Sequence, residues 1–462
     1  MHPSITAAYL ARYRSLASAA EAAPAVLLPL TGAQRRFLIT RHRDPRGRTD
    51  VVPLFFAFPR GTVDLPRLRR AAVRLAERHP ALCGEFTVLR GTPVLRLGEP
   101  SVEVARVPVE PAAAHPEGPA HPETPEAPAH LDGPVRAALR RALLDWPADG
   151  PVLRLLLAAG PDDEEELLAV ALDHAACDEQ SLGLVTDGLG AAYAAAGDGA
   201  GDGADGGAPA AVRAEAVAAY RAAVEGQLAA EAAAAGPAAQ AHWAARLGAL
   251  AEPAHGARPA GAARSTGMAA ERLPAVTGAA RGGVFPALLD AVATAARHLD
   301  GEGGGERVLA LGYPWGGRPA DAAPVLGCFL NTLVHPAPPG PPRDLDALGA
   351  AWWDDLDHAD TPYDEVVRAA RAAGASWSGT LDGLLTFEDL HRRPPLLIGG
   401  AAGREVHLAG RPLAAPIAVS ASHGEDLLVR FAWDRERYPG DAAETAFAAL
   451  LATLRRHLGT PA

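Results

Sequence analysis

The sequence predicts an α/β protein built from two halves of similar character. In each half, short apolar runs that suit buried strands alternate with longer segments whose apolar residues recur at helical spacing. The first half contains the apolar runs 51–58 and 167–172, and the second restarts the alternation with a predicted helix over 285–299 and a strand over 308–313. The 462 residues are enough for two such units, each with its own core.

We expect the first half to span residues 1–182 and the second to span residues 183–462. Segment 197–209 consists almost entirely of Gly, Asp and Ala, so it has few side chains able to pack and is predicted to be a disordered linker. The Pro- and Glu-rich segment 115–128 is predicted to be an exposed loop.

The N-terminal elements are helical. Residues 1–24 predict a weakly amphipathic, Ala-rich helix. A second helix starts at Thr31, because Thr31 and Gln34 have the spacing of a capping box. Taken alone, this pattern indicates a well-capped surface helix.

The next helix is predicted over 65–78, where Leu65, Leu68 and Leu75 share one face and Pro80 ends the pattern. The remaining elements follow from apolar spacing and turn residues. They are strands through Phe86, within 91–109 and over 152–157, a hairpin turn at 160–163, and helices over 134–146 and 211–247.

Composition and charge exclude several classes of function. The net charge of −12 argues against nucleic acid as the main partner, because a phosphate backbone requires a basic face. The three cysteines, Cys83, Cys177 and Cys328, are far apart and have no zinc-site spacing, so neither a disulfide framework nor a metal site is expected. No signal peptide or membrane-spanning run is evident, so we expect a soluble, cytoplasmic protein.

The candidate site lies within residues 166–186. An apolar strand pattern ends at Asp173, His174 and Asp178 follow directly, and helical spacing begins near Ser181. A strand that delivers a histidine into a strand-to-helix turn is a common way to place a general base at the edge of a sheet. Cys177 lies in this turn without a residue that would activate a thiolate, so we interpret it as inert packing.

Residues 173–179 (Asp-His-Ala-Ala-Cys-Asp-Glu) resemble the His-His-x-x-x-Asp-Gly motif of nonribosomal peptide synthetase condensation domains, which are chloramphenicol-acetyltransferase-like acyltransferases. Four further segments resemble landmarks of that family in the same order, so the resemblance covers nearly the whole chain. They are 30–38, 78–86, 327–332 (Gly-Cys-Phe-Leu-Asn-Thr) and 358–367, and the closing stretch 412–438 resembles the family's last hairpin and helix.

The resemblance implies two acetyltransferase-like halves arranged as a V, with a tunnel between them that receives the phosphopantetheine arms of carrier proteins. His174 matches the motif histidine beside the attacking amine, where it would orient the nucleophile, take its proton or stabilise the tetrahedral state. Asp178 matches the structural motif aspartate. Asn331 matches a residue near the tunnel.

Three of the departures from the family pattern bear on the candidate site. Asp173 replaces the first motif histidine, and we expect it to support the turn because adjacent strand residues face opposite ways. Glu179 replaces the motif glycine, so it would bind an acceptor's ammonium group, narrow the tunnel or block it. Cys83 replaces the arginine that pairs with the motif aspartate, so Asp178 needs another cation.

The resemblance therefore predicts a free-standing condensation-type enzyme that transfers an acyl or aminoacyl group from a carrier-protein thioester to an amine or, less often, a hydroxyl. Its partners would be an acyl or peptidyl carrier protein and a free or carrier-bound acceptor. No bound cofactor or metal is expected, since the thioester supplies the driving force. The alternatives are a module that has lost catalysis and recruits carrier proteins or tailoring enzymes, and an enzyme that uses a carrier-independent donor or a soluble acceptor.

Other notable residues have structural interpretations. Trp352 and Trp353 indicate packing in a helix core or a domain interface. The arginines at 35–36 and 67–74 are candidates for a carrier-docking patch, although an arginine-rich solvated helix face is the favoured interpretation.

Overall fold

A computed structural model describes residues 4–20, 26–43, 50–110, 133–147, 149–197, 210–252, 266–300, 306–316, 318, 324–340, 343–390, 393–408, 410 and 413–459. The predicted loop at 115–128 and, apart from Gly197, the predicted linker at 197–209 lie outside these residues. The fold is mixed α/β, as the sequence predicted. Among the described residues no helix is both long enough and apolar enough to cross a membrane.

The helices are α1 (Ile5–Ala20), α2 (Gly32–Arg43), α3 (Leu65–Glu77), α4 (Pro134–Leu144), α5 (Glu179–Ala195), α6 (Ala210–Ala234), α7 (Pro237–Leu247), α8 (Val284–Asp300), α9 (Leu345–Leu356), α10 (Tyr363–Ala372) and α11 (Gly440–Leu458). The strands are β1 (Leu27–Leu28), β2 (Val51–Pro59), β3 (Cys83–Leu89), β4 (Thr92–Pro100), β5 (Val102–Arg106), β6 (Leu153–Ala158), β7 (Glu165–Asp173), β8 (Thr266–Pro274), β9 (Leu309–Gly316), β10 (Leu330–Ala337), β11 (Gly383–Asp389), β12 (Leu397–Ile398), β13 (Ala401–Ala402), β14 (Arg404–Val406), β15 (Ile417–His423) and β16 (Asp426–Asp434).

The first half is built on a five-stranded sheet of order β14-β2-β7-β6-β5. β6 and β7 are antiparallel neighbours, which confirms the predicted hairpin. Successive residues of β7 enter different cores: Leu168 and Val170 pack with α3 and α5, whereas Leu167 and Ala169 pack with α4. Both faces of the sheet are thus covered, which explains why β7 reads as a continuous apolar run.

The second half is built on a six-stranded sheet of order β10-β9-β11-β15-β16-β8. β11 runs parallel to both β9 and β15, and the other neighbouring strands are antiparallel. Helices α8 and α11 supply many of the residues of its separate hydrophobic core.

The predicted boundary between residues 182 and 183 does not coincide with a break in the fold, because α5 runs through it. The buried residues Leu182, Val185 and Leu189 of α5 all join the first core, as does Tyr220 of α6. Strand β14 comes from the second half of the chain yet pairs with β2 of the first sheet. The first structural unit therefore extends beyond residue 182 and includes a late strand.

Two predictions fail for one of the residues that they named. Trp353 is 63% exposed and does not pack in a helix core, although Trp352 does contact Phe285, with the ring centroids 5.1 Å apart. Arg35 is buried beside Glu231, with an N–O distance of 3.6 Å, so it is not available for docking. Arg67 donates to the main-chain carbonyls of Tyr193 and Ala194 at the end of α5.

Candidate active site

The candidate site is the turn between β7 and α5. Strand β7 ends at Asp173, its N–H donating to the Val152 carbonyl, and α5 begins at Glu179 after the N-cap residue Asp178. The Asp178 carboxylate accepts from the Ser181 N–H at 3.0 Å, so the helix start is closed by a side chain. The turn 174–178 is thus held at one end by a strand of the sheet and at the other end by a capped helix.

His174 is half-buried, and its two ring nitrogens have different surroundings. Nδ1 lies 2.9 Å from the carbonyl oxygen of Cys177. Because a carbonyl oxygen can only accept, Nδ1 carries the proton and donates it, which leaves the lone pair of the neutral ring on Nε2. The ring stacks on Phe37 of α2, with centroids 4.6 Å apart and an interplanar angle of 20°. His174 therefore presents a proton acceptor at Nε2.

Asp173 is buried and its carboxylate points to neighbouring polar groups. It accepts from the Ala175 N–H at 3.0 Å and forms an ion pair with Arg41 at 2.6 Å. These are contacts that a residue supporting the turn would make.

Asp178 pairs with Arg318, the Nη2–Oδ1 distance being 2.8 Å. Its Oδ2 accepts from the Phe329 N–H at 2.9 Å, and the Arg318 guanidinium lies over the Phe329 ring, 4.4 Å from its centroid. Arg318 is therefore the cation that the sequence analysis expected Asp178 to need. Sequence reasoning missed it, because the Gly-rich stretch 312–318 indicates only a turn after a strand.

Cys83, at the position where the resemblance implies an arginine, makes a different contact. Its Sγ donates to the Ala76 carbonyl at 3.1 Å, and burial raises the pKa of the thiol to about 11. Cys177 is fully buried, and burial raises its pKa further, which agrees with inert packing. Cys328 is buried and free as well.

Glu179 is the first residue of α5, and its side chain is 53% exposed. One carboxylate oxygen binds Arg393 at 2.6 Å. Arg393 is buried and also contacts Glu405 at 2.8 Å and Glu388 at 3.8 Å. Desolvation raises the pKa of the Glu179 carboxyl, against the opposing effect of Arg393.

Asn331 is buried at the start of β10 and holds the loop that precedes α10. Its Nδ2 donates to the carbonyls of Ala359 and Thr361 at 2.8 and 2.7 Å, and its Oδ1 accepts from the Tyr363 N–H at 3.2 Å. With three main-chain partners, the side-chain amide is fully engaged within the protein. These contacts favour a structural role for Asn331 over the role in the tunnel and in specificity that the resemblance implies.

The capping box at Thr31 and Gln34 forms as predicted, with reciprocal hydrogen bonds of 3.0 and 3.3 Å. Its interpretation as a surface feature is wrong, because both side chains are buried. Thr31 Oγ1 donates to the Cys328 carbonyl at 2.8 Å, and Gln34 Nε2 donates to the Ala175 carbonyl at 2.7 Å. The box therefore joins α2 to the turn beside His174 and to the segment before β10.

No group of three or more His, Cys, Asp or Glu side chains within the described ranges could hold a metal ion. The chemistry available at the turn is that of an imidazole whose Nδ1–H is bound and whose Nε2 has no hydrogen-bond partner among the described residues. Such a group can orient a nucleophile or accept its proton.

No family model and no curated protein matches the chain. Among solved structures, it is similar to the first condensation domain of the calcium-dependent antibiotic synthetase in complex with a substrate analogue, with 20% identity, a TM-score of 0.65, and 95% of this chain and 97% of the other covered.

A second similar structure is the starter condensation domain of the rhizomide synthetase, a double mutant in complex with C8-CoA and Leu-SNAC. It has 15% identity, a TM-score of 0.63, and 94% of each chain covered. A third is the nonribosomal peptide synthetase FmoA3, with 20% identity and a TM-score of 0.58, where the match covers 94% of this chain and 44% of the other. The chain has the fold of nonribosomal peptide synthetase condensation domains, which confirms the resemblance at the level of the fold.

Proposed function

We propose that this protein is an acyltransferase of the condensation type, which moves an acyl or aminoacyl group from a carrier-protein thioester to an amine. The observation that carries the proposal is the state of His174. Its Nδ1–H is bound to the Cys177 carbonyl, and its Nε2 is left as a proton acceptor in a turn held by Asp173 and Asp178. One similar structure is a complex with C8-CoA and Leu-SNAC, which supports a thioester donor.

The proposed reaction uses this geometry. The acceptor amine attacks the thioester carbonyl while Nε2 of His174 orients its N–H and takes the proton, so a C–N bond forms through a tetrahedral intermediate. Collapse of the intermediate breaks the C–S bond. The proton then passes from Nε2 to the departing thiolate of the phosphopantetheine arm, and the imidazole returns to its starting state. A hydroxyl acceptor would give an ester by the same steps.

The carrier arm is thus a substrate and not a resident cofactor. Positioning of the two reactants would supply much of the rate, because an oriented pair avoids the entropy cost of a bimolecular encounter. The partners of the protein are then an acyl or peptidyl carrier protein and an amine, free or attached to a second carrier.

A non-catalytic docking module is the second candidate. The observation that favours it is Glu179, whose half-exposed carboxylate stands where condensation domains have glycine. Its bulk and charge at that place would obstruct a tunnel. Such a protein would bind acylated carriers without turning them over.

The test is a mass-spectrometric assay with acyl-loaded carrier proteins as donors and a panel of amines and alcohols as acceptors. The proposal predicts a condensation product from the wild type and from His42→Ala, an exposed histidine on α2, and none above background from His174→Ala. Binding of loaded carriers without product from any variant would instead identify a docking module. Product only with acyl-CoA or small thioesters would show that the donor is independent of a carrier.

A further inference from the structure

One face of α2 lies along the turn that carries His174. Gln34, Phe37 and Arg41 are spaced by three and four residues, so they share a face of the helix. Gln34 donates to the Ala175 carbonyl, and Phe37 stacks on the ring of His174. Four residues after Phe37 on the same helix, Arg41 binds the carboxylate of Asp173. The helix face therefore contacts three consecutive residues, the last of β7 and the first two of the turn, in reverse order.

Arg41 holds the main chain on both sides of His174. Its Nη2 lies 2.6 Å from both carboxylate oxygens of Asp173 and 3.3 Å from Oδ2 of Asp50. Asp50 accepts the His174 N–H through its main-chain carbonyl at 2.9 Å, and the Asp173 carboxylate accepts the Ala175 N–H. The peptide groups before and after the histidine are thus attached to residues that Arg41 binds.

The charges make this arrangement depend on the arginine. The Asp173 and Asp50 side chains are only 1% and 5% exposed, and that of Arg41 is 11% exposed. Burial and the proximity of Asp173 raise the pKa of the Asp50 carboxyl. Two buried carboxylates so close together repel each other, and removing the cation between them would force the segment to rearrange or take up a proton.

We propose that Arg41 is a positioning residue for His174 and that, with Gln34 and Phe37, it fixes the turn so that the imidazole keeps Nδ1–H on the Cys177 carbonyl. An imidazole in water prefers the opposite tautomer, with the proton on Nε2. The Nδ1–H form, which leaves the lone pair on Nε2, therefore persists only while the turn keeps the carbonyl in place. This inference rests on the proposed function for its catalytic consequence, but the tautomer itself can be measured without activity.

The test compares the wild type with Arg41→Gln, using ¹⁵N-labelled histidine and ring nitrogen NMR at a pH where His174 is neutral. The His174 signals are assigned by their loss in His174→Gln. The wild type is expected to show the Nδ1–H tautomer alone, and Arg41→Gln a mixture of both. In steady-state assays, kcat of Arg41→Gln is expected to fall by about 10²-fold while KM changes little, as for misplacement of a catalytic group.

Controls separate positioning from stability. Arg41→Lys keeps the charge and is expected to restore much of the wild-type tautomer and kcat. Ile39→Ala, on the same helix at a side chain that is 48% exposed, is expected to change neither. If Arg41→Gln does not fold, Phe37→Leu takes its place, because it removes the stacked ring without leaving a buried charge, and a tautomer mixture with reduced kcat is again expected.

The inference is overturned if His174 remains a single Nδ1–H tautomer in folded Arg41→Gln, or in Phe37→Leu where the first variant does not fold. It is also overturned if kcat stays at the wild-type value in a variant whose melting temperature falls, since that is the result of a purely structural role. A wild type without activity would contradict the proposed function alone, because the tautomer measurement would still decide whether α2 positions the imidazole.

Discussion

Arg318 and Asp178 form an ion pair between residues 140 positions apart, with the Nη2 and Oδ1 atoms separated by 2.8 Å and both side chains less than one tenth exposed. Oδ1 of Asp178 also accepts from the N–H and the hydroxyl of Ser181. The same arginine donates to the Gly327 carbonyl at 3.1 Å. The start of α5, directly after the His174 turn, is therefore attached to the segment that leads into β10.

Removal of Arg318 is expected to destabilise the fold strongly. Arg318→Met leaves the buried Asp178 carboxylate without its cation, which typically costs about 3–5 kcal/mol in the free energy of unfolding. Chemical denaturation measures this cost. The matched control is Arg96→Met, which breaks an ion pair of 2.6 Å to Glu85 whose side chains are about half exposed, and it should cost about 1 kcal/mol or less. Equal effects of the two substitutions would contradict this account of the pair.

Asn331→Ala is expected to reduce stability and to leave substrate selection unchanged. The substitution leaves two main-chain carbonyls and one N–H without the hydrogen bonds that Asn331 provides, at a cost of about 2–4 kcal/mol in the free energy of unfolding. Thr332→Ala, at the next residue of β10, is the control for the effect of an alanine substitution in this strand. A change in the preferred acceptor at a temperature where Asn331→Ala is folded would instead support the tunnel role that the family resemblance predicted.

His335 is expected to make the protein sensitive to acid. Burial, with Arg246 and Arg343 nearby, lowers the pKa of His335 to about 3, and the side chain is 1% exposed. The unfolded chain binds this proton near pH 6.5, whereas the folded protein binds it only near pH 3. The free energy of unfolding therefore falls as the pH drops from 6.5 towards 3.

Between pH 6.5 and pH 4 this single group should cost about 3 kcal/mol in the free energy of unfolding. Over that pH range, the free energy of unfolding of His335→Gln should therefore fall less than that of the wild type, and the difference should be about this amount. Urea denaturation at several pH values measures it, with His42→Gln, an exposed histidine, as the control. Parallel curves for the wild type and His335→Gln would rule out this source of acid sensitivity.

Glu179→Gly is expected to widen the range of acceptors. If the side chain narrows the path to His174, its removal should raise kcat/KM for bulky amines by about 10-fold or more, with little change for small ones. Glu179→Gln keeps the bulk and removes the charge, so it separates the two effects. If the wild type and both variants have the same acceptor profile, Glu179 does not limit the access of acceptors to His174.

The elements around the site could be predicted because their signals are local. Strand β7 is a continuous apolar run, and the capping box specifies the start of α2 within four residues. Strand β14 could not be placed in the first sheet, since three residues carry no signal for a partner strand almost 350 positions earlier in the chain.

The supporting contacts of the site were beyond sequence reasoning for the same reason. Arg318 stands in a Gly-rich stretch that predicts only a turn, and its pairing with Asp178 depends on how the two halves pack. Arg41 is one of several arginines on α2, and only the orientation of the helix selects it for Asp173. A motif predicts which residues act, whereas their partners depend on the tertiary structure.

We propose that Nε2 of His174 acts on the acceptor during acyl transfer. Single-turnover amide formation from an acyl-loaded carrier protein, compared between the wild type and His174→Gln, measures this role. We expect the rate with His174→Gln to fall by about 10²–10⁴-fold, the range for loss of a general base, while the variant still binds the loaded carrier. An unchanged rate with His174→Gln would contradict the claim and place the chemistry elsewhere.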